Sequence, residues 1–496
     1  MAPSAPRLTL ATLDRVPADV ARPGYDPASV GVGIVHLGLG AFHRAHQAVV
    51  TDSLLAHDPR WGVCGVSLKT PRSTQALAQQ DGLYTLLVKD PSGVEARVIG
   101  AVRETLYAPA DPSALVTRMA DPRVHVITLT VTEKGYCHDP ATGRLDLDHP
   151  DIRHDLANPA APRSAVGLLV AALDARRANA TGPLNVVCCD NLPHNGRVVE
   201  GLVASFAAAR SADLAEWIAR HAAFPCTMVD RIVPATTDAD VAEVRRRLGL
   251  DDAAPVVAEP FLQWVIENRY AAPRPAWENA GAEIVADVAP YETMKLRLLN
   301  GSHSTLAYLG FLAGHVTIAQ AATDPALRRL VERMMAEEIA PTLGVPPGVD
   351  LARYRATLLE RFRNPALPHR TAQVAMDGSQ KLPQRLLGTI RDRLAGGGSV
   401  RHLALAVAGW MRYATGVDEH GAPIAVSDPM AGRLAQAAAS ARGDPSRLAR
   451  AYFAIPEIFG TDLPAKTEFV AAVSADLCSL LERGADATVA RHVALS

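Results

Sequence analysis

The run Val32-Gly-Ile-Val-His-Leu37, passing into Gly38-Leu-Gly40 and then Ala41-Phe42-His43-Arg44-Ala-His46, restricts the fold more than any other part of the chain. A short, mostly apolar segment ending in glycine reads as a buried strand, and the residues after it, to about Leu55, read as an amphipathic helix. A strand that hands over to a helix through a glycine turn opens a βαβ unit, which calls for a parallel sheet covered by helices. Gly38 permits the tight turn, and Gly40 leaves bare backbone where a pyrophosphate meets a helix N-terminus. The usual dinucleotide pattern has a third glycine, and His43 stands in its place.

A second strand, Gly62-Val-Cys-Gly-Val-Ser67, follows one helix later. Its end normally carries an acid for the ribose hydroxyls of NAD. Here it reads Leu68-Lys69-Thr70-Pro71-Arg72-Ser73, whose cations suit the 2′-phosphate of NADP. Further β-rich stretches lie at 83–89 and 94–102, and 124–131 reads as a buried strand leading into Thr132-Glu-Lys-Gly-Tyr136. A helix is expected over 164–179 and a buried strand over 184–189. That strand ends in the polar turn Asp190-Asn191-Leu192-Pro193-His194-Asn195-Gly196, and a short strand ends at Met228-Val229-Asp230-Arg231. Past a Pro-rich boundary at 271–277 the pattern becomes helical, at 326–340, 351–361, 403–414, 433–441 and 465–483. The expected fold is α/β: a Rossmann-type dinucleotide-binding domain over residues 1–285, then a mainly α-helical domain over 286–496.

Chemistry is densest in Tyr291-Glu-Thr-Met-Lys295-Leu-Arg-Leu-Leu-Asn300-Gly-Ser-His303-Ser-Thr-Leu306-Ala-Tyr-Leu309, read as one continuous buried helix. At about 100° per residue, Leu299, Leu306 and Leu309 fall within roughly 40° of Lys295, His303 about 80° round and Asn300 about 140°. An amine, an amide and an imidazole therefore share one arc that is otherwise apolar. Taking water from an amine disfavours its charged form, as a general base for an alcohol proton requires. A structural reading of the same residues is a snorkelling lysine beside satisfied core polar groups.

Length and composition set the outer bounds. At 496 residues the chain exceeds one core, so two domains are expected. A net charge of −2 gives no electrostatic case for nucleic acid or an anionic membrane. No apolar run reaches bilayer length, and Met1–Asp26 lacks an unbroken apolar stretch of the signal type. The 6 cysteines show no paired metal spacing, so free thiols in a reducing cytoplasm are expected.

With these motifs in hand the chain resembles the mannitol dehydrogenase family, the long-chain, metal-independent polyol dehydrogenases and uronate reductases. The resemblance is carried by the run 34–47, by Lys295, Asn300 and His303 spaced K-x₄-N-x₂-H, by Asp190-Asn191, by Met228-Val-Asp-Arg231 and by Asp377-Gly-Ser-Gln-Lys381. It implies a nicotinamide cofactor, NAD with NADP admitted, held by Gly38, Gly40, Phe42, Arg44, Thr132 and Asp190. It implies Lys295 as acid–base, Asn191 and Asn300 as donors to the developing alkoxide, and His303 as the group positioning the reacting hydroxyl. Substrate contacts are implied for Asp230, Arg370, Gln373 and Lys381, and no metal is implied.

Mannitol dehydrogenases of the family carry an arginine where this chain has Gln373. The stretch 369–385, with 224–234 and 132–137, looks more like the branch that reduces fructuronate to mannonate. Arg370 is then the expected partner of a substrate carboxylate. The alternative is a polyol dehydrogenase acting on mannitol, arabinitol or sorbitol, and a more remote one is a non-catalytic nucleotide-binding sensor. A small-molecule sugar acid or polyol is the expected partner, with no nucleic acid or membrane, in a cytoplasmic monomer or small homo-oligomer.

Overall fold

A computed structural model describes residues 5–139 and 142–494. The chain divides into two compact units, Met1–Ala289 and Pro290–Ser496. The sequence pattern put the change at 285/286.

The first unit is built on a six-stranded parallel sheet: β1 (Val32–Leu37), β2 (Gly62–Ser67), β3 (Val102–Tyr107), β4 (Val126–Leu129), β5 (Leu184–Cys188) and β6 (Ala222–Ala223). Their spatial order is β3-β2-β1-β4-β5-β6. The order reverses between β1 and β4, which opens a crevice at the strands' carboxyl ends. Every residue of β1 and β2 is buried. Val35 and Leu37 enter one apolar core with Ile127, Leu129 and the helix Ala165–Ala178, while Ile34 enters another with Val63, Val126 and Val187. Burial on both faces explains why these strands read as unbroken apolar runs. Two small three-stranded sheets flank the main one; Thr227–Asp230 pairs antiparallel with Gln263–Glu267 in one of them.

Three expectations for this unit are corrected. The helix after Gly40 is not continuous: Ala41–Ala45 and Gln47–Asp52 are separated by His46 at φ −129°, ψ −91°. The stretch 94–102 is not one strand; Gly93–Ile99 belongs to a small sheet and β3 begins at Val102. The helices Asn195–Arg210 and Ala212–His221, which form the crossover between β5 and β6, were not anticipated.

The second unit is helical. Its centre is Gly301–Leu312 packed on Arg401–Tyr413, in which every residue from His402 on is buried. A Cβ added at Gly409 would lie 2.7 Å from Leu309 Cδ2, so glycine there lets the two helices meet closely. The expected continuous helix at 326–340 is Pro325–Arg333 followed by a π-helical segment, Met334–Ile339. The C-terminal helix extends over Thr467–Ala494 and kinks at Gly484, past the expected end at 483. Among the described residues no helix is long and apolar enough to cross a membrane.

Candidate active site

In the first unit, Gly38 donates its backbone N–H to Val66 O at 2.9 Å, closing the turn over β2. Its φ is +105°, and a Cβ there would lie 2.1 Å from Thr130 O on the segment after β4. Around Gly40, an added Cβ would meet nothing nearer than Gly38 O at 3.7 Å. A strained turn followed by open backbone, at the carboxyl end of β1 and beside the β1/β4 reversal, fits a dinucleotide pyrophosphate. Gly38→Ala is therefore expected to cost about 1–3 kcal/mol from conformation, with a similar amount from overpacking, and to weaken NAD binding. Thermal melts and NAD titration check this; a variant like wild type in both would show the turn to be dispensable.

His43, in the place of the third glycine, is buried and stacks on His36 of β1 with ring centroids 3.4 Å apart. Burial pushes His36 down to about 3 and His43 well below the ordinary histidine value, so both imidazoles are neutral. Close helix–strand contact, which glycine would give by absence of a side chain, is achieved here by ring stacking. Phe42 is half-buried and stacks on His46.

Arg44, expected at the cofactor, is tied into the protein beside the turn. It is buried, donates to Gly40 O (3.3 Å) and to Ala254 O, and lies over the Tyr84 ring. Its guanidinium braces the turn from within the fold. Asp190, also expected at the cofactor, holds the backbone of the loop after β4. Its carboxylate accepts from Val131 N and Thr132 N, both at 2.9 Å, and from the Tyr136 hydroxyl at 2.6 Å. Burial still holds its carboxyl above the usual carboxylate range. The acid thus anchors the loop after β4, where Thr132 takes the unfavourable φ of +68°. Asn191, next in the chain, is exposed, and Asp230 is buried at its strand end.

In the second unit, the expected continuous α-helix is interrupted. Ala289–Met294 is α-helical, Lys295–Asn300 is π-helical, and Gly301–Leu312 is α-helical again. A π turn absorbs one extra residue, which takes about 100° off the wheel positions beyond it. Relative to Lys295, Asn300 moves from about 140° to roughly 40° and His303 from about 80° to roughly −20°. The distortion therefore brings the three polar groups onto one narrow face. All three are buried: Lys295 is 9% exposed, Asn300 6% and His303 8%.

Asn300 Nδ2 and His303 Nε2 are buried without a hydrogen-bond partner, and so is Nδ1 of His369. Such atoms are costly in a finished core and point to a ligand. The His303 ring lies 5.3 Å from Phe362 and 5.0 Å, edge-on, from His369. Burial, then the neighbouring His369, Arg385, Arg361 and Lys381, depress His303 well below its ordinary value. His369 is pushed down to about 4 by burial and by Lys381. Lys381 itself donates to Met376 O at 2.6 Å, and Arg385 to Ser304 Oγ at 3.0 Å. Two neutral imidazoles thus sit among cations.

The motif around Lys381 is explained locally. Ser379 donates from backbone and hydroxyl to Asp428, and a Cβ at Gly378 would lie 2.3 Å from Trp410 Nε1. Arg370 and Gln373 are exposed. His369 and Arg385 escaped the sequence reading although both lie in stretches it quoted, because nothing in their spacing relates them to His303. All 6 cysteines are free thiols.

Comparison with known proteins agrees in extent and order. Residues 32–279 match the mannitol dehydrogenase Rossmann domain and residues 287–481 the mannitol dehydrogenase C-terminal domain. D-mannonate oxidoreductase of Escherichia coli K12 is 49% identical over 476 residues, covering 95% of this chain and 98% of that protein. A mannitol 2-dehydrogenase of Phaeosphaeria nodorum is 40% identical, covering 96% of this chain and 84% of the relative. The structure of Pseudomonas fluorescens mannitol 2-dehydrogenase in ternary complex with NAD and D-mannitol superposes with a TM-score of 0.91 at 39% identity, covering 99% of this chain and 100% of that one.

Proposed function

This chain belongs to the mannitol dehydrogenase family, and we propose that it is an NAD-dependent secondary-alcohol dehydrogenase that interconverts D-mannonate and D-fructuronate. The observation that carries the reading is the pair of buried, unpartnered atoms, Asn300 Nδ2 and His303 Nε2, on the π-wound face shared with Lys295. When bound, NAD supplies the hydride acceptor. The remaining work falls to side chains. In oxidation Lys295 Nζ takes the hydroxyl proton as the hydride leaves, and in reduction it returns that proton. Asn300 Nδ2 donates to the oxygen as negative charge develops on it, and Asn191 carries the same role in the family pattern. His303, neutral and held between Phe362 and His369, orients the reacting hydroxyl.

Two observations favour a sugar acid over a polyol. Identity to the mannonate enzyme, 49%, exceeds the 40% and 39% to the mannitol enzymes. The cations near His303 make a positive field suited to a carboxylate. NAD is favoured over NADP, the exposed Lys69 and Arg72 permitting some use of the latter. Steady-state turnover of mannonate, fructuronate, mannitol and fructose with each cofactor tests the reading. Mannitol oxidised with higher kcat/KM than mannonate would overturn the sugar-acid assignment, and higher kcat/KM with NADPH would overturn the cofactor preference.

Arg370 and Gln373 are assigned to the substrate's far end. Arg370 is exposed, so solvent screening holds its contribution to less than the about 1.5–3 kcal/mol of a buried charge-assisted hydrogen bond. Arg370→Ala is expected to raise KM for mannonate several-fold and to leave KM for mannitol unchanged. Equal changes on both substrates would make Arg370 a structural residue.

A further inference from the structure

Away from these groups, three metal-binding side chains converge in the first unit. Cys137, His149 and Asp151 each offer a ligand atom, and the three atoms lie within 4.8 Å of one another. Their spacing in sequence resembles no paired metal motif; folding makes the group. Cys137 follows the helical turn Glu133–Tyr136 and takes a left-handed conformation, φ +51°, ψ 40°, uncommon for a residue with a side chain. His149 caps the helix Pro150–Ala157, and Asp151 lies in its first turn. The thiol is buried, the imidazole half-buried and the carboxylate exposed, so the group opens to solvent on its carboxylate side.

Thiol, imidazole and carboxylate are the donors of zinc, and three protein ligands with a water in the fourth position are a common zinc arrangement. Charge agrees, since one thiolate and one carboxylate neutralise a dication. Asp146, Asp151 and Asp155 place negative charge around the thiol, which a dication offsets. Asp155 is unavailable as a ligand, because it accepts from Arg163 N, Ser164 N, the Ser164 hydroxyl and His154. Zinc–ligand bonds of about 2.0–2.3 Å place tetrahedral donors roughly 3.3–3.8 Å apart. The group therefore has to contract by about 1–1.5 Å at its widest to close on the metal. His149 Nδ1 accepts from Asp151 N at 3.2 Å, and metal ligation through either ring nitrogen exchanges that long cap bond for a metal bond.

We propose that Cys137, His149 and Asp151 form a zinc-binding site, and that zinc there tethers the loop following β4 to the helix Pro150–Ala157. Binding forms Zn–S, Zn–N and Zn–O bonds, and the thiol proton goes to solvent. The loop already has one anchor, Asp190, which holds Val131, Thr132 and Tyr136. Zinc adds a second at Cys137, which carries the restraint on from Tyr136 to the helix Pro150–Ala157.

The whole chain, stripped by chelator and dialysed, is titrated with Zn²⁺ against a competing chromophoric chelator, and separately with Co²⁺. One equivalent of Zn²⁺ per chain is expected, tightening as pH rises because the thiol proton is displaced. Co²⁺ should give a near-ultraviolet thiolate charge-transfer band. Cys137→Ser should abolish that band, and His149→Ala should weaken zinc at least tenfold, with far-ultraviolet circular dichroism unchanged. Should Cys137→Ser not fold, Asp151→Asn and alkylation of Cys137 in the wild type, read by peptide mass spectrometry, replace it. Zinc then slows alkylation of the wild type and does so less in Asp151→Asn. Absence of stoichiometric binding, equal affinity in the variants, or no protection of Cys137 would each overturn the site.

Discussion

Lys295→Ala is expected to lower turnover by about 10²–10⁴-fold, the contribution of a positioned acid–base group, while NAD still binds. The lysine is buried at the first position of the π-helical segment, so water alone does not replace it as the base once it is removed. Small primary amines added to the variant should restore part of the rate, because the cavity left by the side chain admits them. Fluorescence titration of NADH separates a catalytic loss from loss of the cofactor. Wild-type-like turnover in the folded variant would rule Lys295 out as the base.

Asn300→Leu is expected to lower kcat by about 10²–10³-fold and to change KM little. That is the cost of removing one preorganised donor to a developing oxyanion. Leucine keeps the branched shape and leaves no cavity, so the loss is not confused with one. The residue is chosen because Nδ2 is buried and unpartnered, which costs stability unless substrate or transition state supplies the acceptor. A rise in KM with kcat unchanged would make Asn300 a ground-state binding group instead.

Much of the first unit could be read from the chain because its physics is local. β1 and β2 are short apolar runs with glycine at a boundary, and the structure has them at Val32–Leu37 and Gly62–Ser67. The break at His46 and the split of 94–102 could not be read, since both depend on where the chain joins a second sheet. In the second unit the helices were legible from periodicity, and the π segments were not. A π turn is stabilised by what packs on it, such as the close approach of Arg385 O to Gly301, where a Cβ would lie 2.9 Å away. For the same reason the sequence marks Lys295, Asn300 and His303 as one group but puts them at the wrong angles. The hydrogen bonds of Arg44 to the glycine turn and of Asp190 to the loop after β4 could not be read from their motifs. His369 became visible only as a neighbour in space.

The π segment also gives the site an unusual response to a kind of change that substitution scans never sample. Winding the same residues as a regular α-helix would return Asn300 to about 140° and His303 to about 80° from the lysine, so base and donor would face different directions with every side chain in place. Removing one residue between Lys295 and Asn300 would instead leave spacings of about 4 and 7, which an uninterrupted α-helix puts at about the same 40° and −20°. An added residue has no such remedy: with the π turn kept, it turns everything after it by about 100°. Motif spacing and helix winding are therefore constrained together, and a lineage that lost one codon in this stretch keeps its geometry by losing the π turn as well.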